Sequence, residues 1–125
     1  MVSSKKIVII DDEPEVAKML AEMVQLLGFQ AVISFGGNRS VNIVADTKPV
    51  LILLDLMMPS LSGFDILRSI NQDPCLAPIP VIIVSARALS TDIKTGLEAG
   101  ASAYLTKPIA FLELRTAVEA VVQNC

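Results

Sequence analysis

Five side chains of this sequence have types that could act together: Asp11 and Asp12 in "IVIIDDEPEV", Asp55 in "LILLDLMMP", Ser85 in "PVIIVSARA" and Lys107 in "AYLTKP". Asp55 is the odd one. Four aliphatic residues, Leu51 to Leu54, lead straight into it and more apolar residues follow. Burying a lone carboxylate costs several kcal/mol unless something compensates, so either the chain turns there or the acid is held charged for a purpose. The other residues have ordinary readings. Asp12 or Glu13 could cap a helix starting at Pro14, Ser85 could be a strand-end turn hydroxyl, and Lys107 a solvated lysine before a proline. Met57 and Met58 read as core packing, Tyr104 as a half-buried strand aromatic, and Gly63 and Gly100 as a turn and a helix stop.

The elements that must position these residues are legible from hydrophobic pattern. "KIVII" (6–10), "AVIS" (31–34), "VLILL" (50–54), "PVIIV" (80–84) and "AYL" (103–105) are short runs of Val, Ile and Leu. Most are continuous rather than alternating, as expected for strands covered on both faces of a parallel sheet. Helical spacing separates them. In the first helix Val16, Met19 or Leu20, Met23 and Leu27 form a stripe, with Lys18, Glu22 and Gln25 off it. Pro14 suits its first turn and Gly28 its end. Further helices are predicted over about 38–47 (ended by Lys48–Pro49), 63–72, 90–98 and 109–123, the last with Leu114, Val118 and Val121 inward. The pattern is (βα)5, and right-handed crossovers put helices on both sides of the sheet. There is no internal repeat, low-complexity tract or linker, so 1–125 is expected to be a single domain.

In such a sheet every strand's carboxyl end lies on one edge. Asp11 and Asp12 end the first strand, Asp55 the third, Ser85 the fourth and Lys107 the fifth. In the flavodoxin-like, doubly wound order 2-1-3-4-5 the strand order reverses between strands one and three, where ligands bind. That gathers Asp11, Asp12 and Asp55. Three clustered carboxylates repel one another, and a hard divalent cation such as Mg²⁺, which takes few carboxylates plus water and phosphate oxygens, removes the conflict. With a lysine and a hydroxyl beside them, these groups fit a tetrahedral anion attached to or placed beside Asp55. A carboxylate can act as a nucleophile towards phosphorus, and phosphoryl transfer needs mainly positioning and charge neutralisation. Asp55 therefore reads as a phosphoacceptor.

Composition narrows the alternatives. A chain that is 53% hydrophobic and 18% charged is globular rather than disordered. A net charge of −3 without a basic run gives no footprint for nucleic-acid binding by this segment. Cys75 and Cys125 have no motif spacing and read as free thiols in a reducing compartment. No apolar stretch is long enough for a membrane span, and "IVII" is too short for a signal peptide; a soluble, cytoplasmic protein is expected. There is no histidine, which removes the commonest general base and any phosphohistidine chemistry within the chain.

Over essentially its whole length the sequence resembles the response-regulator receiver domains of two-component signalling (the CheY-like superfamily). "VIIDDEPEV" (8–16) resembles the acidic-pair segment, and "LILLDLMMPSLSGFDIL" (51–67) carries Asp-x-x-Met-Pro-x-x-x-Gly as Asp55, Met58, Pro59 and Gly63. "PVIIVSARA" (80–88) holds the hydroxyl residue followed by Ala86, and "GASAYLTKP" (100–108) the strand-five aromatic and Lys-Pro pair. The resemblance implies that Asp55 takes the phosphoryl group. Asp12, Asp55 and the Met57 backbone carbonyl would bind Mg²⁺, with Asp11 acting through water. Ser85 and Lys107 would contact the phosphoryl oxygens, Ala86 would leave room for them, Tyr104 would be the aromatic switch, and Lys107–Pro108 a candidate cis bond. It further implies a histidine kinase or histidine phosphotransfer protein as donor, and a downstream protein or covalently attached output domain as receiver of the signal. Switching is expected on the helix 4–strand 5–helix 5 face, where a phosphorylation-dependent homodimer could form. Ser85 stands where Thr is also frequent, Met57 and Arg87 fall at variable flanking positions, and Val50 replaces an acid often found before strand three.

Three other functions fit the sequence less well. A pseudo-receiver, binding partners without phosphorylation, would have lost an acid or the lysine, and none is lost. A small Asp-nucleophile phosphatase would carry a second Asp two residues after the nucleophile, where this chain has Met57. A flavin site would need a Gly/Ser-rich phosphate loop after strand one in place of "DDEPE". The chain is not expected to be an enzyme beyond catalysing its own phosphorylation and dephosphorylation.

Overall fold

A computed structural model describes residues 5–37, 39–58 and 62–122. Strands and helices alternate: β1 (Lys6–Ile10), α1 (Pro14–Leu26), β2 (Gln30–Ser34), α2 (Arg39–Thr47), β3 (Leu51–Leu54), α3 (Gly63–Gln72), β4 (Val81–Ser85), α4 (Ser90–Glu98), β5 (Ala103–Thr106) and α5 (Phe111–Val122). All strand pairs are parallel and the sheet order is β2-β1-β3-β4-β5. This is the expected flavodoxin-like architecture, with the order reversing between β1 and β3. Pro59 and Cys125, and the expected ends of the second and last helices at Asn38 and Gln123, lie outside the described residues.

The continuous apolar runs have the expected cause. β3 and β4 are buried throughout, and β1 after its first residue, because helices cover both faces. Alternate residues serve opposite layers. Val8, Ile10, Ile52, Leu54, Val81 and Ile83 pack with Val44 of α2 and Ile66, Leu67 and Ile70 of α3. Ile7, Ile9, Leu51, Leu53, Ile82 and Val84 pack with α1 and with Leu114 and Val118 of α5. The edge strands β2 and β5 are only partly buried.

The inward face of α1 is rotated from the expected stripe. Ala17, Leu20, Ala21 and Val24 are buried, whereas Met19 is 37% exposed and Val16, Met23 and Leu27 only flank the core. The two alanines let the helix backbone approach the sheet closely, and the longer Met side chains cover the margins. Helix ends follow the sequence signals. Gly28 (φ 96°) and Gly100 (φ 113°) take left-handed conformations just after α1 and α4, and Lys48 (φ 52°) does so after α2.

Candidate functional site

Backbone hydrogen bonds at the carboxyl edge align the acids. The Asp55 N–H donates to the Ile10 carbonyl (2.9 Å) and the Asp11 N–H to the Ser34 carbonyl (3.1 Å), so the chain leaving β1 is held between its two neighbours. The Lys107 N–H donates to the Ser85 carbonyl (2.8 Å), fixing the ends of β4 and β5 in the same way. Ser62 caps α3, accepting the Phe64 N–H at 3.2 Å. Gly63, the first residue of α3, lies so close to the loop after β3 that an added Cβ would fall 2.6 Å from Leu56 Cα. The ordinary turn reading of Gly63 is thus replaced by close backbone approach beneath Asp55.

Asp11, Asp12 and Asp55 each offer a carboxylate oxygen, and these oxygens lie within 4.8 Å of one another. Asp11 is 1% exposed and Asp55 2%. Lys107 reaches into the cluster, with Nζ 3.0 Å from Asp11 Oδ2, 3.3 Å from Glu13 Oε1 and 3.4 Å from Asp55 Oδ2. Asp55 Oδ1 accepts the Met57 N–H at 3.1 Å, and Asp11 Oδ1 the Glu13 N–H at 2.9 Å. Asp12 Oδ1 is buried without a hydrogen-bond partner, and Asp11 Oδ2 has only its ion pair with Lys107. A buried carboxylate oxygen without a donor is costly. An all-oxygen set of three acids with one oxygen unsatisfied fits a hard divalent cation.

Burial pushes the Asp55 carboxyl above the ordinary aspartate value of 3.8; the Met57 N–H and the Lys107 charge oppose the shift and Asp11 adds to it. Burial alone would lower the Lys107 ammonium, but the hydrogen bond and charge of Asp11, then Asp55 and Glu13, raise it above 10.5. The signs follow by linkage. Ionising Asp55 costs more in the folded state than in the unfolded one, so the stability present below its unfolded value is lost as pH rises through its folded value. Asp55→Asn keeps the oxygen that accepts the Met57 N–H and removes the charge. In the absence of divalent ions it should raise stability by about 1 kcal/mol at neutral pH, and the gain should shrink below pH 4 as Asp55 protonates in both states. Urea midpoints across pH measure this; a less stable mutant at neutral pH contradicts the picture of crowded, buried carboxylates. Lys107 has a dependence of the same sign in a more alkaline range: its contribution is complete below 10.5 and lost as pH rises through the folded value.

Ser85 and Met57 also lie at this edge, whereas Tyr104 sits within β5, opposite Ile83. Ser85 is fully buried, and its Oγ accepts the Arg87 N–H at 3.1 Å. Tyr104 is half-buried beneath α4 and donates its hydroxyl to the Arg87 carbonyl at 2.8 Å. The Lys107–Pro108 bond is cis. Met57 places its N–H on Asp55 while its side chain is exposed. Ala86 is exposed beside Ser85. Glu13, which the sequence does not mark as a site residue, joins the cluster through Lys107. It holds the N-cap position of α1 without capping the helix through its side chain, which reaches Lys107 instead. An acid before proline carries no sequence signal to separate those roles.

The fold and the acidic, lysine-bearing edge are those expected of a receiver domain, and comparison with known proteins agrees. The family model for the response regulator receiver domain matches residues 7–119. The chain belongs to that family and is a receiver domain of the two-component response regulators. It is 34% identical over 120 residues to the phosphate regulon transcriptional regulatory protein PhoB of Pseudomonas aeruginosa, covering 96% of this chain and 52% of that one. It is 33% identical over 116 residues to the DNA-binding response regulator MtrA of Mycolicibacterium smegmatis, covering 93% and 50%. The chain thus spans about half the length of these curated relatives. Among solved structures, the BeF3-activated N-terminal receiver domain of Klebsiella pneumoniae RstA superposes with a TM-score of 0.86 at 27% identity, covering 95% of this chain and 99% of that one. A response regulator from Chloroflexus aurantiacus superposes with a TM-score of 0.91 at 24% identity, covering 97% and 99%, and shares the fold.

Proposed function

We propose that the protein is a phospho-accepting switch in which Asp55 takes a phosphoryl group from a phosphohistidine of a partner histidine kinase or phosphotransfer protein, in a Mg²⁺-dependent reaction. The observation that carries this reading is the buried Asp55 carboxylate facing Lys107 Nζ at 3.4 Å within a three-carboxylate cluster. Asp12, Asp55 and the Met57 carbonyl would hold Mg²⁺ directly and Asp11 through water, and a bound ion would neutralise charge on the carboxylates and on the incoming phosphoryl oxygens. A carboxylate oxygen of Asp55 attacks phosphorus, the bond from phosphorus to the donor nitrogen breaks, and its electron pair leaves with the imidazole. An acyl phosphate results. Lys107 would pair with the phosphoryl oxygens and Ser85 would donate its hydroxyl to them. The donor histidine lies outside these 125 residues, which contain none.

Beyond its own phosphorylation and dephosphorylation the domain acts by surface change rather than as an enzyme. A new dianion at Asp55 draws the Ser85 loop inward and shifts the population of the α4–β5–α5 face, which meets a downstream protein, an attached output domain or a second copy of itself. The curated relatives named above are transcriptional and DNA-binding regulators, which supports an attached output domain. A cytoplasmic location fits this role, and among the described residues no helix is long and apolar enough to cross a membrane. A pseudo-receiver is disfavoured because Asp11, Asp12, Asp55, Ser85 and Lys107 are all present.

Incubation with acetyl phosphate and Mg²⁺ should add about 80 Da, one phosphoryl group. The adduct should be lost to hydroxylamine and absent from EDTA-treated protein and from Asp55→Asn. Undiminished incorporation in Asp55→Asn refutes the assignment.

A further inference from the structure

Gly96 is the one buried residue of α4. Glycine in a helix interior weakens the helix, so its position there calls for a tertiary cause. A Cβ at residue 96 would fall 2.8 Å from Ile83 Cδ1 and 3.0 and 3.1 Å from two carbons of the Tyr104 ring. The ring therefore lies against the bare backbone of α4. The Tyr104 hydroxyl donates to the Arg87 carbonyl (2.8 Å), and the Arg87 N–H donates to Ser85 Oγ (3.1 Å). Arg87 Nε pairs with Asp92 Oδ1 at 3.4 Å, and Asp92 stands one helical turn before Gly96 on the same face. So α4 grips the Arg87–Tyr104 unit at two points, and that unit also holds the Ser85 hydroxyl.

We propose that Gly96 is a positioning residue: its missing side chain keeps Tyr104 seated beneath α4, and together with Asp92 it makes α4 move with Arg87 and Tyr104 instead of independently. The seat stands on geometry alone, whereas its use rests on the phosphoacceptor reading above. When Ser85 turns towards a phosphoryl group on Asp55, the Arg87 peptide is the contact that must follow. Tyr104 and the first turns of α4 are bound to that peptide.

Tyr104 is the only tyrosine and there is no tryptophan, so intrinsic fluorescence reports this ring alone. Gly96→Ala should expel the ring although alanine is the better helix former. The acrylamide quenching constant of unmodified protein should rise about twofold or more as the ring becomes exposed. With beryllofluoride, a phosphoryl mimic, amide NMR shifts beside Asp55 should persist while those in α4 shrink by about half or more. Ile83→Val removes the atom nearest the added Cβ, so the double variant Gly96→Ala/Ile83→Val should move quenching back towards the parent value. Asp92→Asn should diminish the α4 response and leave the quenching constant unchanged. A folded Gly96→Ala with parent quenching and a full α4 response overturns the proposal. Failure of the parent protein to show any beryllofluoride shift beside Asp55 would instead sink the phosphoacceptor reading, and quenching would still decide the seat.

Discussion

Lys107→Ala should destabilise the metal-free protein by about 3 kcal/mol and tighten Mg²⁺ binding by about tenfold. The ammonium lies 3.0–3.4 Å from carboxylate oxygens of Asp11, Glu13 and Asp55, and its side chain is only 14% exposed. Removing one partner of a buried ion pair leaves the other uncompensated, which costs about 3–5 kcal/mol in general; the partial opening to water here favours the low end. A cation seeking those oxygens competes with the lysine for them, so the mutant should bind Mg²⁺ more strongly and recover much of its stability at saturating metal. Lys107→Met keeps the apolar stem and separates packing from charge. Urea midpoints with and without Mg²⁺, and calorimetric Mg²⁺ titration, measure both effects. Unchanged Mg²⁺ affinity in both variants would mean that the lysine and the metal do not share a site.

Gly63→Ala should destabilise the fold by about 3 kcal/mol. Helix propensity alone favours alanine over glycine by up to about 1 kcal/mol, so the sign of the result is informative. The added Cβ meets backbone, the Asp55 carbonyl oxygen and Leu56 Cα, rather than the movable end of a side chain. Either α3 backs away, losing the hydrogen bond from the Gly63 N–H to the Leu56 carbonyl, or the loop carrying Asp55 and Met57 shifts. Both disturb the acidic cluster, so Mg²⁺ affinity should fall alongside stability. A mutant as stable as the parent, with unchanged affinity, would show that α3 can move away without involving the site.

The parts of this arrangement that could be read from sequence share one property: burial leaves a one-dimensional pattern. β1, β3 and β4 are covered on both faces, so continuous Val, Ile and Leu reveal them. Asp55 stands out because an acid rarely follows four buried aliphatics, and the remaining acids, Ser85 and Lys107 follow once strand ends share an edge. What stayed hidden depends on contacts between elements. Alanine carries little hydrophobic signal, so Ala17 and Ala21 do not stand out beside the methionines, and the apolar stripe in the sequence is rotated from the face α1 buries. Glu13 looks like any acid before a proline until Lys107 is placed next to it. Gly63 and Gly96 look like loop or helix glycines until the backbone below one and the Tyr104 ring beside the other are in view.

The central claim, that Asp55 carries the phosphoryl group, is tested most directly by trapping the product. Protein treated with acetyl phosphate and Mg²⁺ and then reduced with borohydride should yield homoserine at position 55, because borohydride reduces an acyl phosphate to the alcohol and leaves a free carboxylate alone. Tandem mass spectrometry of the peptide spanning Leu51 to Arg68 should locate homoserine at residue 55, and EDTA should abolish it. Homoserine at residue 11 or 12, or a borohydride-resistant phosphate on Ser85, would contradict the account.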